Sequence, residues 1–142
     1  MSYIIGRLSI NRIYMLLLVL VPFFSACEKH KIKRKYTGDF LFTVNSHTWN
    51  MSSGTHDATY TFEGKIELSK EVPTGTSEDN VYIKVYYKSL SSFEYAIIEK
   101  DGKFHFLRGG GGRFSGDDQL DFGLSSTQLS SSVDDTVHGV RR

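Results

Sequence analysis

Tyr95-Ala96-Ile97-Ile98-Glu99-Lys100-Asp101-Gly102-Lys103-Phe104-His105-Phe106-Leu107 is the stretch on which the fold turns. Two readings compete for its first half. Ser91-Ser92-Phe93-Glu94 matches a helix capping box, which would start a short helix from Phe93 to Lys100. Asp101-Gly102 follows directly, between two β-prone runs. That dipeptide is the strongest short hairpin signal, because a type I′ turn needs positive φ at both central positions. The turn favours a hairpin, with His105 on the face opposite Phe104 and Phe106 and turned to solvent.

The same period of two recurs outward in both directions. Phe40, Phe42 and Val44 alternate with Asp39, Leu41 and Thr43. Tyr60, Phe62, Gly64, Ile66 and Leu68 alternate with polar partners, as do Leu120, Phe122 and Leu124. Val81, Ile83, Val85 and Tyr87 form another such set, leaving Tyr82, Lys84, Tyr86 and Lys88 for the opposite face. Alternation in separated segments predicts half-buried antiparallel strands. Gly116-Asp117-Asp118 marks a further turn, and Ser52–Thr55, Thr74–Asn80 and Ser125–Ser132 read as longer loops. Val133 to Arg142 reads as a last strand. The expected fold is all-β, an antiparallel meander of seven or eight strands over residues 38–142. It closes as a small lipocalin-like barrel or packs as a β-sandwich. Closure would remove the exposed edges of an open meander.

The amino terminus follows different rules. Arg7 and Arg12 precede an apolar run from Ile13, which leads to Ser25, Ala26 and Cys27. The run is short of the roughly 20 residues that cross a bilayer and has the length of a signal-peptide core. Residues 1–26 are therefore expected to be an export signal. Bulky Phe24 fits poorly with the small-x-small pattern of ordinary secretory cleavage.

Phe24-Ser25-Ala26-Cys27 resembles the lipobox of bacterial lipoproteins, although Leu is the usual first residue there. With the aromatic first strand Phe40-Leu41-Phe42 and the closing Gly139-Val140-Arg141, the chain resembles the small β-barrel and sandwich lipoproteins of Gram-negative envelopes. The resemblance implies a diacylglyceryl group on the Cys27 thiol and a membrane partner through that lipid. Each buried methylene contributes about 0.8 kcal/mol, and two chains anchor stably where one does not. No other functional residue is implied.

Residues 27–37 then read as the lipidated cysteine and a basic tether, with five Lys/Arg against one acid between residues 28 and 37. Acidic residues after the cysteine direct some such lipoproteins to the cell surface; this stretch lacks them and leans to the outer membrane facing the periplasm. The whole chain has a net charge of +1, yet from Tyr36 onward ten Lys/Arg meet fifteen Asp/Glu, a net of −5. An acidic domain is a poor partner for phosphate backbones, so nucleic acid is not expected.

Candidate chemistry is sparse. Arg108-Gly109-Gly110-Gly111-Gly112-Arg113 could hold an anion between its arginines, on exposed backbone N–H groups. It lacks the helix context of a phosphate loop, and the favoured reading is a flexible hairpin loop between Leu107 and Phe114. Tyr82, Lys84, Tyr86 and Lys88 would form an exposed row able to stack on sugars and pair with anions. Trp49 reads as a core plug or barrel-end cover. Five histidines show no paired metal spacing, and Asp117 and Asp118 are explained by turn chemistry. No nucleophile elbow appears, so neither a catalytic residue, a metal nor a cofactor is expected. The function expected is a non-enzymatic envelope module binding an envelope protein or a glycan. A carrier of a small apolar ligand and an inhibitor of a hydrolase are the alternatives.

Overall fold

A computed structural model describes residues 35–142. The export signal, Cys27 and most of the basic tether lie outside the described residues. Eight antiparallel strands run β1 Gly38–Asn50, β2 Gly54–Leu68, β3 Tyr82–Tyr86, β4 Glu94–Ile98, β5 Lys103–Phe106, β6 Gly111–Ser115, β7 Gln119–Gln128 and β8 Ser131–Arg141. Each pairs with its neighbours in chain order, and β8 returns to β1, so the meander is a closed barrel. Closure settles barrel against sandwich.

The deciding stretch is a hairpin, β4–β5, as the Asp-Gly signal predicts. Its turn begins one residue earlier than expected: Gly102 N–H donates to Glu99 O at 3.1 Å and Glu99 N–H to Lys103 O at 2.8 Å. Gly102 takes φ 85°. This matches a longer hairpin loop ending in a left-handed glycine rather than a two-residue type I′ turn.

An eight-stranded barrel is just wide enough to be filled by its own side chains. Here a ladder of rings fills it. Tyr36 meets Phe114 at 4.7 Å, Phe114 meets Phe104 at 5.5 Å, and Phe104 meets Phe122 at 5.9 Å. Phe122 in turn meets Tyr87 edge-on at 5.3 Å. Phe40 and Phe42 complete the floor and are fully buried. Phe42 faces Gly139 across β8 and Phe40 faces Gly64 across β2. A Cβ at either glycine would stand 2.9 Å from the Phe42 ring. Small residues opposite large rings are what let the taper close.

Tyr36 corrects the expected domain boundary. Placed in the tether by sequence, it is 2% exposed and its hydroxyl donates to Lys100 O at 3.3 Å. Arg141 donates to the carbonyls of Lys35 and Thr37. The barrel therefore includes residues 35–37, because the ring caps the closed end between the Glu99–Gly102 turn and Phe114.

The strands are unequal, and this shapes the other end. β2 pairs with β3 only through Lys65–Leu68, and β7 pairs with β6 only as far as Gly123. Beyond that rim β2, β1, β8 and β7 continue as a four-stranded wall, paired out to Asn50–Gly54 and Gln128–Ser131. Five residues from Ser46 to Asn50 project it about 15 Å. Ser125–Ser132, expected as a loop, is thus mostly strand. Trp49 is neither plug nor cover: it points outward on this wall and is 42% exposed.

Candidate functional site

The wall and the barrel rim enclose a cavity of about 560 Å³. Val85, Leu124 and Val133 give it apolar lining, Ser92, Ser126 and Thr127 give hydroxyls, and Lys88, Glu94, Arg108 and Asp135 give charge. It sits above the uppermost ring of the ladder, Tyr87.

Asp135 organises the cleft. It shares strand parity with Val133, Val137 and Gly139, so it points inward, and it is only 5% exposed. Its Oδ2 accepts from Tyr87 Oη at 3.1 Å and pairs with Lys88 Nζ at 2.5 Å. Its Oδ1 is buried and has no hydrogen-bond partner. An unpaired buried acceptor costs free energy that a donor would recover. At the rim, Arg108 and Glu94 stand 3.9 Å apart. The four charged groups lining the cleft therefore cancel.

Burial, then the Asp135 charge and hydrogen bond, push the Tyr87 phenol far above its ordinary value. Tyr60, on the adjoining strand, is raised by burial and by Asp135, with Lys88 opposing. The folded state holds the Tyr87 proton more tightly than the unfolded chain does. Its contribution to stability is therefore complete below the usual phenol pKa of about 10 and falls as pH rises beyond it. In an alkaline titration followed by phenolate absorbance, Tyr87 should ionise only as the barrel unfolds. Tyr87→Phe should leave the early phase of that titration unchanged. An early phase that shrinks in the variant would place Tyr87 among the freely titrating tyrosines.

The expected Tyr82-Lys84-Tyr86-Lys88 row is corrected. Tyr82 is 3% and Tyr86 9% exposed. The loop after β2 folds over β3, and Tyr82 Oη donates to Ser77 O at 2.7 Å. Phe93 packs on Tyr86 at 5.2 Å. Lys84 and Tyr95 both donate to Glu71 Oε2, at 3.2 and 3.1 Å. Those bonds hold the Glu71 carboxyl below its ordinary range, and the Glu71 bond raises Lys84. Lys88 leaves the row because β3 ends at Tyr86 and the chain turns in over the mouth.

Arg108 and Arg113 do not converge on an anion either. Arg108 is in the turn at the mouth, whereas Arg113 pairs in register with Lys103 near the closed end and lies 3.8 Å from Asp101. The glycine run divides: Gly109 and Gly110 make the turn, while Gly111 and Gly112 are strand. A Cβ at Gly112 would stand 2.2 Å from Asp121 O, so close strand approach demands that glycine.

His105 is exposed, as its parity predicts, and lies 3.4 Å from Glu99. On the outer face of the wall His47 Nδ1 meets Asp57 at 2.5 Å, and on the outer face of the barrel below the rim His138 Nδ1 meets Asp121 at 2.7 Å. Among the described residues no three His, Cys, Asp or Glu side chains gather to hold a metal.

The class defined by this fold and cleft is a small, ring-filled, eight-stranded meander barrel with a charge-neutral polar cleft at one mouth. No family model, curated protein or solved structure matches the chain.

Proposed function

We propose that this protein is a lipid-anchored, non-enzymatic binding module of a bacterial envelope, held to the membrane through lipid on Cys27 and taking its ligand in the mouth cleft. The observation that carries the binding half is Asp135, a buried carboxylate with one oxygen doubly engaged and the other without a donor, in a preformed cavity. Barrel mouths are favoured positions for ligand sites, and convergent polar groups in an apolar setting fix orientation there. The non-enzymatic half carries over the expectation from the sequence, which has no nucleophile elbow and no paired metal spacing.

Two other readings draw less support. A carrier holding an apolar ligand inside the barrel competes with the ring ladder for that space. An inhibitor acting through Gly109–Gly112 would need a projecting loop, and half of that run is strand. The anchoring half rests on the lipobox resemblance, and the basic stretch before the barrel favours the periplasmic face of the outer membrane.

Anchoring is tested by fractionating cells that express the full chain and weighing the mature amino terminus. The wild type should stay with membranes and carry a diacylglyceryl mass on Cys27. Cys27→Ser should leave the membrane fraction or retain its leader. Equal membrane partition of both, with no lipid mass, would overturn the anchor.

A further inference from the structure

Taking the mouth cleft as the binding site, as proposed above, we infer that its occupant is an extended, uncharged polypeptide segment that adds as a strand to the free edge of β7. Beyond Gly123, β7 runs on to Gln128 paired only with β8. The direction of its backbone groups follows from two bonds. Phe114 N–H donates to Gly102 O, away from β7, so Phe114 and Leu120 form a non-hydrogen-bonded pair. Arg141 N–H donates to Asp118 O, so even-numbered residues around this strand face β8. By alternation Ser125 and Thr127 turn N–H and C=O to the side where β6 has already ended.

The cavity agrees with that geometry. Leu124, Ser125, Ser126 and Thr127 all line it. Consecutive residues line a space when a strand presents its edge; a strand presenting one face contributes alternate residues. Strand addition uses such an edge for affinity and side-chain pockets for specificity. A strand laid here would direct alternate side chains toward Asp135, and an N–H or O–H among them would reach the orphaned Oδ1. Val85 and Val133 would receive an apolar neighbour. A sugar would supply the donor but would leave the two edge residues unmatched.

Charge and edge protection choose the partner and the edge. Lys88 offsets Asp135 and Arg108 offsets Glu94, so the cleft attracts neither polybasic nor polyacidic chains. The other free edge, Gly54–Gly64 of β2, carries His56, Asp57 and Glu63, the kind of charge that guards exposed edges. Leu124–Gln128 carries no charge and no proline.

The experiment is site-resolved amide exchange on the full-length protein in detergent. The probes are a capped Val-Thr-Val-Asn-Val-Thr peptide, the same peptide N-methylated at alternate residues, and chitotetraose. Saturating peptide should slow exchange at Ser125 and Thr127 about 10-fold, the equivalent of one net hydrogen bond. The N-methylated peptide should not. Thr127→Pro removes an edge N–H at a position where proline is tolerated, and should abolish the protection while core amides stay slow. Protection by chitotetraose alone would overturn strand addition and leave the cleft as the binding site. Protection along Gly54–Gly64 instead would overturn the choice of edge. No protection by any probe at millimolar concentration would overturn the inference, without bearing on the Cys27 anchor, which is read from mass.

Discussion

Phe42→Ala should lower the free energy of unfolding by about 3–5 kcal/mol, the range for deleting a buried ring from a core that cannot collapse around the gap. Phe42 has no exposed surface and lies between Phe40 at 5.8 Å and Phe122 at 6.3 Å. Its flanks are backbone: Gly64 on β2 and Gly139 on β8 admit the ring only because they lack a Cβ. Backbone in a closed sheet cannot move in to fill the hole, so the loss should lie toward the upper end. Small domains have only about 5–15 kcal/mol in total, so such a loss would leave the barrel marginal. Urea denaturation followed by near-ultraviolet circular dichroism measures it. A loss under 1 kcal/mol would mean that the ring ladder does not hold the closed end together.

Lys88→Met should cost less, about 1–3 kcal/mol. Removing one partner of a fully buried ion pair costs about 3–5 kcal/mol, because the other charge stays buried without compensation. Asp135 meets that description at 5% exposure, but the Lys88 side chain is 39% exposed and already partly screened by water, which lowers the figure. Tyr87 continues to donate to Oδ2 in the variant, so one hydrogen bond survives. The same denaturation measurement applies. A change within error would show that Lys88 and Asp135 do not depend on one another in solution.

The barrel half of the molecule was legible because its inner face is apolar. Phe40, Phe42, Val44, Ile66, Leu120 and Phe122 alternate in the sequence as they do in the core, and Asp101-Gly102 resolves the helix-or-hairpin ambiguity before it. The wall above the rim was not legible for the converse reason. The inward positions of the wall Ser46, Thr48, His56, Ser126 and Gln128 are polar and stand beyond the ring-filled core, so no hydrophobic period marks them. Ser125–Ser132 has loop composition, yet pairing with β8 makes it strand. Tertiary context overrode local preference there.

The outer face of β3 was illegible for a related reason. Its tyrosines and lysines suggest a wet face, but the loop from Ser69 to Val81 covers Tyr82, and Phe93 covers Tyr86. Such cover comes from remote segments and leaves no local signal. Asp135 did leave one. It shares parity with Val133, Val137 and Gly139, an acid on the apolar side of a strand. Beside Asp134 it passes for one of two solvent-facing carboxylates, and only the register with Ser46 and Leu124 places it at the mouth.

The central claim is that the Lys88–Asp135 pair is kept for binding and not for folding. Replacing both partners with apolar residues tests this most directly, because it removes the buried charges without orphaning either one. Lys88→Met and Asp135→Leu, combined with Tyr87→Phe so that the buried phenol is not left without its acceptor, should unfold within about 1 kcal/mol of the wild type, or at higher denaturant, while Lys88→Met alone remains destabilised. A combined variant as unstable as Phe42→Ala would contradict the account: the pair would then be a structural fastening of the barrel mouth.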